Sequence, residues 1–128
     1  MYVKLSTDQI IEIHNAELAA SHGLAGIREP GYLDFLSEKP FSVVFGVEQY
    51  PGLFLKAAVL MEGLIVSHCF FDGNKRTAVL STYVFLGLNG YELDAGEDNL
   101  FETTIKVATK RMDIEQLAEW LKRNSYNK

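Results

Sequence analysis

With 128 residues, 48% of them apolar and 23% charged, the chain is long enough for one domain with its own core and lacks the composition of a disordered or fibrous segment. A formal charge of -5 argues against nonspecific nucleic-acid binding, which wants a basic stripe. The single cysteine, Cys69, cannot form an internal disulfide and no signal-peptide pattern precedes Ser6, so one cytoplasmic domain over residues 1–128 is expected.

The first helix is expected over residues 6–22, because Ser6-Thr7-Asp8-Gln9 fits a capping box. On it His14 shares a face with Ile10, Glu17 and Leu18 and reads as a structural residue, while His22 sits at the helix end, where exposed carbonyls favour a cation. A short helix over 30–37 follows. The segment Pro40-Phe41-Ser42-Val43-Val44-Phe45-Gly46-Val47 is β-branched and aromatic and reads as extended chain folding into a short hairpin, with a merely packed connection as the alternative.

A third helix is expected over 51–68, with Pro51 at its first position, where a missing N–H costs nothing. Leu53, Ala57, Leu60 and Leu64 fall on one face and Phe54, Ala58, Met61 and Ile65 on the next, so the helix is buried nearly all round. Lys56 and Glu62 interrupt the run and favour a core helix over a membrane span. A fourth helix is expected over 74–89: Thr77 through Leu88 carries no charge, and Asn89-Gly90 is a good C-terminal stop. Helices over 98–110 and 113–124 complete the chain, the last with Asp113 and Gln116 at capping-box spacing and Leu117, Trp120 and Leu121 on one stripe. The fold class is therefore all-α, a helical bundle around a central helix-loop-helix, with the short β-hairpin as the exception.

The loop joining the two apolar helices carries the chemistry. His68-Cys69-Phe70-Phe71-Asp72-Gly73-Asn74-Lys75-Arg76-Thr77-Ala78 brings together a base, a carboxylate, a flexible glycine, an amide and two cations. Phosphate groups want backbone N–H donors, fixed positive charge and a magnesium ion, and Gly73, Asn74, Lys75 and Arg76 supply the first two. Asp72 is the candidate magnesium ligand, and His68 suits a general base, histidine being the residue type whose unperturbed pKa lies near neutrality. The first-turn amides around Asn74 to Thr77 point at an anion lying there. Taken singly, each component has a duller reading: a packed histidine, an ordinary Asp-Gly turn, a solvated Lys-Arg face. Their order between two uncharged helices is what favours a site. No second histidine lies at ligand spacing from His68, which speaks against zinc.

His68, Phe70, Asp72, Gly73, Asn74, Lys75 and Arg76, followed by Val79, resemble the signature of Fic proteins, in the shortened form of the death-on-curing (Doc) toxins. There Lys replaces the second glycine and the last arginine is absent. The likeness extends to Ile13-His14-Asn15-Ala16, the Gly-Leu-Ala-Gly-Ile run over residues 23–27, Pro30-Gly31 and Phe85-Leu86-Gly87-Leu88-Asn89-Gly90. This chain departs from its closest models at Gly73, where Ala is usual, and at Val66 and Leu80, where some relatives place Arg and Asn.

The resemblance implies a toxin that transfers the γ-phosphoryl group of ATP, with magnesium, to a hydroxyl side chain of a bacterial protein, elongation factor Tu being the family's candidate. His68 would deprotonate the acceptor, Asp72 would act through magnesium, Asn74 and Lys75 would hold phosphate oxygens, and Arg76 would neutralise charge on the leaving group. Lys75 would fill the groove that lets a triphosphate present its α-phosphorus in adenylyl-transferring Fic proteins. Phe70 would anchor the loop, and the hairpin would act as a flap beside the site that registers the target polypeptide by main-chain pairing. No Ser/Thr-x-x-x-Glu-Gly/Asn inhibitory helix is present, the nearest approach being Ala58 through Gly63, so restraint by an antitoxin in trans is implied. Two alternatives stay open: adenylyl transfer, favoured by Gly73, and a catalytically silent nucleotide- or antitoxin-binding module.

Overall fold

The computed structural model describes all 128 residues. In chain order the elements are α1 (Thr7–Ser21), α2 (Pro30–Glu38), a 3-10 turn (Lys39–Phe41), β1 (Val43–Val44), β2 (Val47–Glu48), α3 (Leu53–Ser67), α4 (Asn74–Leu88), β3 (Tyr91–Leu93), α5 (Glu97–Ala108), α6 (Ile114–Arg123) and β4 (Ser125–Asn127). The architecture is mostly α, as the apolar periodicity predicts.

Both anticipated capping boxes form. Ser6 Oγ accepts from Gln9 N–H at 3.2 Å while Gln9 Oε1 accepts from Ser6 N–H at 2.8 Å. Asp113 and Gln116 repeat the arrangement at the start of α6. Each box satisfies amide donors that a helix start otherwise leaves unpaired.

α3 runs through the middle of the bundle and packs against α2, α4, α5 and α6. Ten of its residues are buried, and they face every direction around the axis, which explains the near absence of charge in its sequence. Its start corrects one expectation. Pro51 is not the first helical residue; Gly52, at φ 88°, is the N-cap and the helix begins at Leu53. The reason lies in Lys56, which is fully buried and donates to Tyr50 O at 2.6 Å and Glu48 Oε1 at 3.1 Å, with the Phe41 ring 5.4 Å from the ammonium. Handing the Tyr50 carbonyl to that ammonium turns the chain out of the helical path before residue 53.

The stretch from Val43 to Glu48 forms the expected hairpin. Val43 pairs with Glu48 and Val44 with Val47, and Phe45 and Gly46 make the turn, both with positive φ. Its four strand residues are all exposed, as is Phe45 at the tip. A second antiparallel pair, β3 with β4, was not foreseen. Tyr91, Glu92 and Leu93 pair with Asn127, Tyr126 and Ser125, which pins the last residues of the chain to the end of α4. Strands of three residues leave no detectable alternation in sequence.

Candidate active site

α3 stops at His68, which takes the left-handed conformation, φ 52° and ψ 48°, and reverses the chain. The neighbouring segment holds this corner. Arg28 Nε donates to His68 O at 2.9 Å, and the N–H groups of Arg28 and Glu29 donate to Cys69 O at 2.7 and 3.0 Å. Backbone capping thus fixes the histidine's main chain and leaves its side chain exposed, without a partner inside the protein.

The rest of the loop is tied down residue by residue. Phe70 is buried and anchors the loop in the core as the sequence implied. The Asn74 side chain lies across it: Oδ1 accepts from Phe70 N–H at 3.0 Å and Nδ2 donates to Phe70 O at 2.9 Å. Both ends of that amide are therefore engaged in closing the loop. Nδ2 keeps a second N–H, so what Asn74 has left for an anion is that hydrogen together with its backbone N–H. Asp72 Oδ1 accepts from Gly73 N–H at 2.9 Å and Oδ2 from Leu24 N–H at 3.2 Å. The turn at Gly23 lies so close that an added Cβ would sit 2.8 Å from Asp72 Oδ2, so a side chain there would push the carboxylate aside.

Gly73 is the N-cap of α4, at φ 76°, and no side chain caps the helix. Thr77 N–H is the first to find a helical partner, Gly73 O at 2.9 Å. The amides of Asn74, Lys75 and Arg76 consequently open to solvent at the positive end of a fifteen-residue helix, an arrangement that attracts anions. The Lys75 and Arg76 side chains are exposed beside them. His68, Phe71, residues 72–76 and, from α1 and the turn after it, Glu17, Ser21 and Gly23 line one cavity of about 480 Å³, within the range of small-molecule sites. A groove of about 580 Å³ between α5 and α6 is larger, yet the α6 first turn that borders it is closed by the Asp113–Gln116 capping box, whereas α4 starts uncapped, so the motif cavity is the better candidate.

α1 supplies what the sequence reading missed. Its buried face consists of Ile10, His14 and Glu17. Glu17 Oε2 is 3.7 Å from Arg76 Nη1, the carboxylate side chain being 7% exposed and the guanidinium side chain 74%. His14 is buried against the motif loop itself. The signal was present as two polar residues on an otherwise apolar helical face, but nothing local says what that face meets. Arg28 and the Leu24 amide were missed for the same reason. Cys69 is fully buried, and its burial pushes the thiol pKa up, which suits a packing role and not a thiolate nucleophile.

The donor set fits a magnesium-bound nucleotide. Magnesium is held by one or two carboxylates together with phosphate oxygens, and Asp72 presents one hard carboxylate with lone pairs beyond the two amides it accepts from. No three His, Cys, Asp or Glu side chains converge into an all-protein metal cage.

A mostly helical fold with an exposed histidine at the end of one core helix and an anion-attracting start on the next sets the class of protein, and comparison names it. The Fic/DOC family model matches residues 4–86. The chain is 36% identical over 109 residues to Toxin Doc of Mycolicibacterium smegmatis, covering 84% of each chain. It is 30% identical over 120 residues to Protein kinase doc of Escherichia phage P1, covering 93% of each. The chain belongs to the Fic/DOC family, on its Doc branch.

Proposed function

We propose that this protein is a Doc-type toxin of a toxin-antitoxin system that phosphorylates a hydroxyl side chain of a bacterial protein from magnesium ATP, acts in the cytoplasm and is restrained by an antitoxin in trans. The observation that carries the reading is the unpartnered His68 side chain lining the same cavity as the open amides of residues 74–76 and the Lys75 and Arg76 side chains. The names of the two relatives, a toxin and a protein kinase, support it.

In this mechanism the His68 imidazole takes the proton of the acceptor hydroxyl as its oxygen bonds to the γ-phosphorus. The bond from that phosphorus to the β,γ-bridging oxygen breaks, and ADP leaves with the electron pair. The first-turn amides and Lys75 hold phosphate oxygens, and Arg76 neutralises charge gathering on the leaving oxygens. Asp72 would hold magnesium, which when bound neutralises charge on the β- and γ-oxygens. Lys75 places a long cation where adenylyl-transferring relatives have glycine, which favours the γ-phosphoryl orientation.

The acceptor polypeptide pairs with the exposed β1–β2 hairpin. No hairpin residue lines the cavity, and the hairpin's root is held by Lys56, twelve residues before His68 on α3. Elongation factor Tu is the candidate target carried by the family resemblance.

Adenylyl transfer is the second reading, favoured by Gly73, where no side chain narrows the loop. ATP labelled at the γ- or the α-phosphate, incubated with bacterial extract, separates the two. Protein label from the γ-phosphate alone is expected; label from the α-phosphate alone refutes the kinase. If His68→Ala arrests growth as strongly as the parent chain, both enzymatic readings give way to a binding module.

A further inference from the structure

The His14 ring is buried at the centre of α1 and makes two different contacts with the motif loop. It lies flat on Phe70, with 3.7 Å between ring centroids and 11° between planes. Its Nε2 stands 2.8 Å from the carbonyl oxygen of Asp72, which only accepts, so Nε2 carries the proton and donates. The same ring faces Gly73: a Cβ built there would lie 3.8 Å from Nε2 and Cδ2. One side chain from a helix 58 positions earlier therefore touches residues 70, 72 and 73.

We propose that His14 is a positioning residue for phosphoryl transfer, holding the Asp72 peptide so that the Asp72 carboxylate faces the nucleotide cavity. The inference rests on reading that cavity as the nucleotide site. Gly73, in the left-handed region and without a side chain, is the softest joint of the loop, and rotation at the Asp72–Gly73 peptide would swing both the carboxylate and the first turn of α4. A donor fixed to the Asp72 carbonyl blocks that rotation. Packing on Phe70 needs only a flat ring, whereas the hydrogen bond needs a ring N–H at that height on α1. Groups that orient a metal-holding residue typically change metal affinity or activity about 10- to 100-fold when removed.

His14→Phe keeps the stack and removes the donor; His14→Gln keeps a donor and loses the stack. Two readouts apply to each: hydrogen exchange of the hydrogen-bonded amides of Phe70, Phe71, Gly73 and Thr77 in the ligand-free protein, and calorimetric ATP binding as magnesium is varied. His14→Phe is expected to speed exchange across these amides and to require about 10-fold more magnesium for half-maximal ATP binding. His14→Gln should recover most of the magnesium dependence. Parent-like exchange and magnesium dependence in His14→Phe would overturn the proposal. If His14→Phe does not fold, His14→Asn, whose amide ends short of Asp72, replaces it against His14→Gln, and equal magnesium dependence of that pair overturns the proposal. If the parent protein binds no ATP, the nucleotide reading falls, and hydrogen exchange alone then decides whether His14 braces the loop.

Discussion

Replacing Asn74 by alanine separates a loop clamp from a phosphate ligand. The Asn74 amide makes two hydrogen bonds to the Phe70 peptide, at 3.0 and 2.9 Å, and neither Phe70 N–H nor Phe70 O has another partner. Each such bond contributes about 1 kcal/mol net, and a buried group left unpaired costs about 1–3 kcal/mol. Asn74 is only partly buried, so water reaches part of the gap, and about 2 kcal/mol is the expected loss. For a chain of 128 residues that lowers Tm by about 6–10 °C. The assay is thermal unfolding by circular dichroism without nucleotide or magnesium, alongside Lys75→Ala, whose exposed side chain makes no ion pair and should leave Tm within about 1 °C. A parent-like Tm for Asn74→Ala, with loss of ATP binding alone, would refute the clamp and leave phosphate binding as the side chain's role.

Three further outcomes follow from the same geometry. Glu17→Gln removes a buried negative charge from the cavity wall, so ATP binding by calorimetry should tighten, while stability changes by less than about 1 kcal/mol because the Arg76 partner is largely exposed and distant. Gly73→Ala finds room for its methyl group but must keep φ near 76°, so a cost of about 1 kcal/mol and a Tm lowered by about 3–5 °C are expected; an unchanged Tm would show that the loop relaxes freely. Burial raises the Cys69 pKa above its ordinary value of 9.0, so on raising the pH the unfolded chain loses its thiol proton first, and this contribution to stability is lost from about pH 9 upward. Urea titrations at stepwise alkaline pH should show that decline in the parent chain and a flatter one in Cys69→Ala.

The helices were legible because their signals are local. Ser6 and Gln9, and Asp113 and Gln116, are three residues apart, and the apolar run over α3 announces burial on every side without reference to any partner, whereas the equally uncharged α4 leaves Leu80, Tyr83 and Leu88 exposed. The extended character of the hairpin segment was legible for the same reason, while its turn at Phe45-Gly46 came only with the structure. Pro51 misled because a sound local rule was overruled by the buried Lys56 ammonium, whose demand for the Tyr50 carbonyl moved the helix start to Leu53. The β3–β4 pair joins residues more than thirty positions apart through three-residue strands, too short for periodicity to register.

Residue identity and spacing alone settled six helices, the family, and the grouping of His68, Asp72, Gly73, Lys75 and Arg76 on one short loop, since all of these depend on neighbours within a turn or two. Packing of α1 and the turn after it against the motif loop and α4 decided that Asp72 is held by Leu24 N–H and His14, and that Glu17 faces Arg76. Those contacts join parts of the chain that propensity and capping treat as independent, and only the closing of the core brings them within hydrogen-bonding distance.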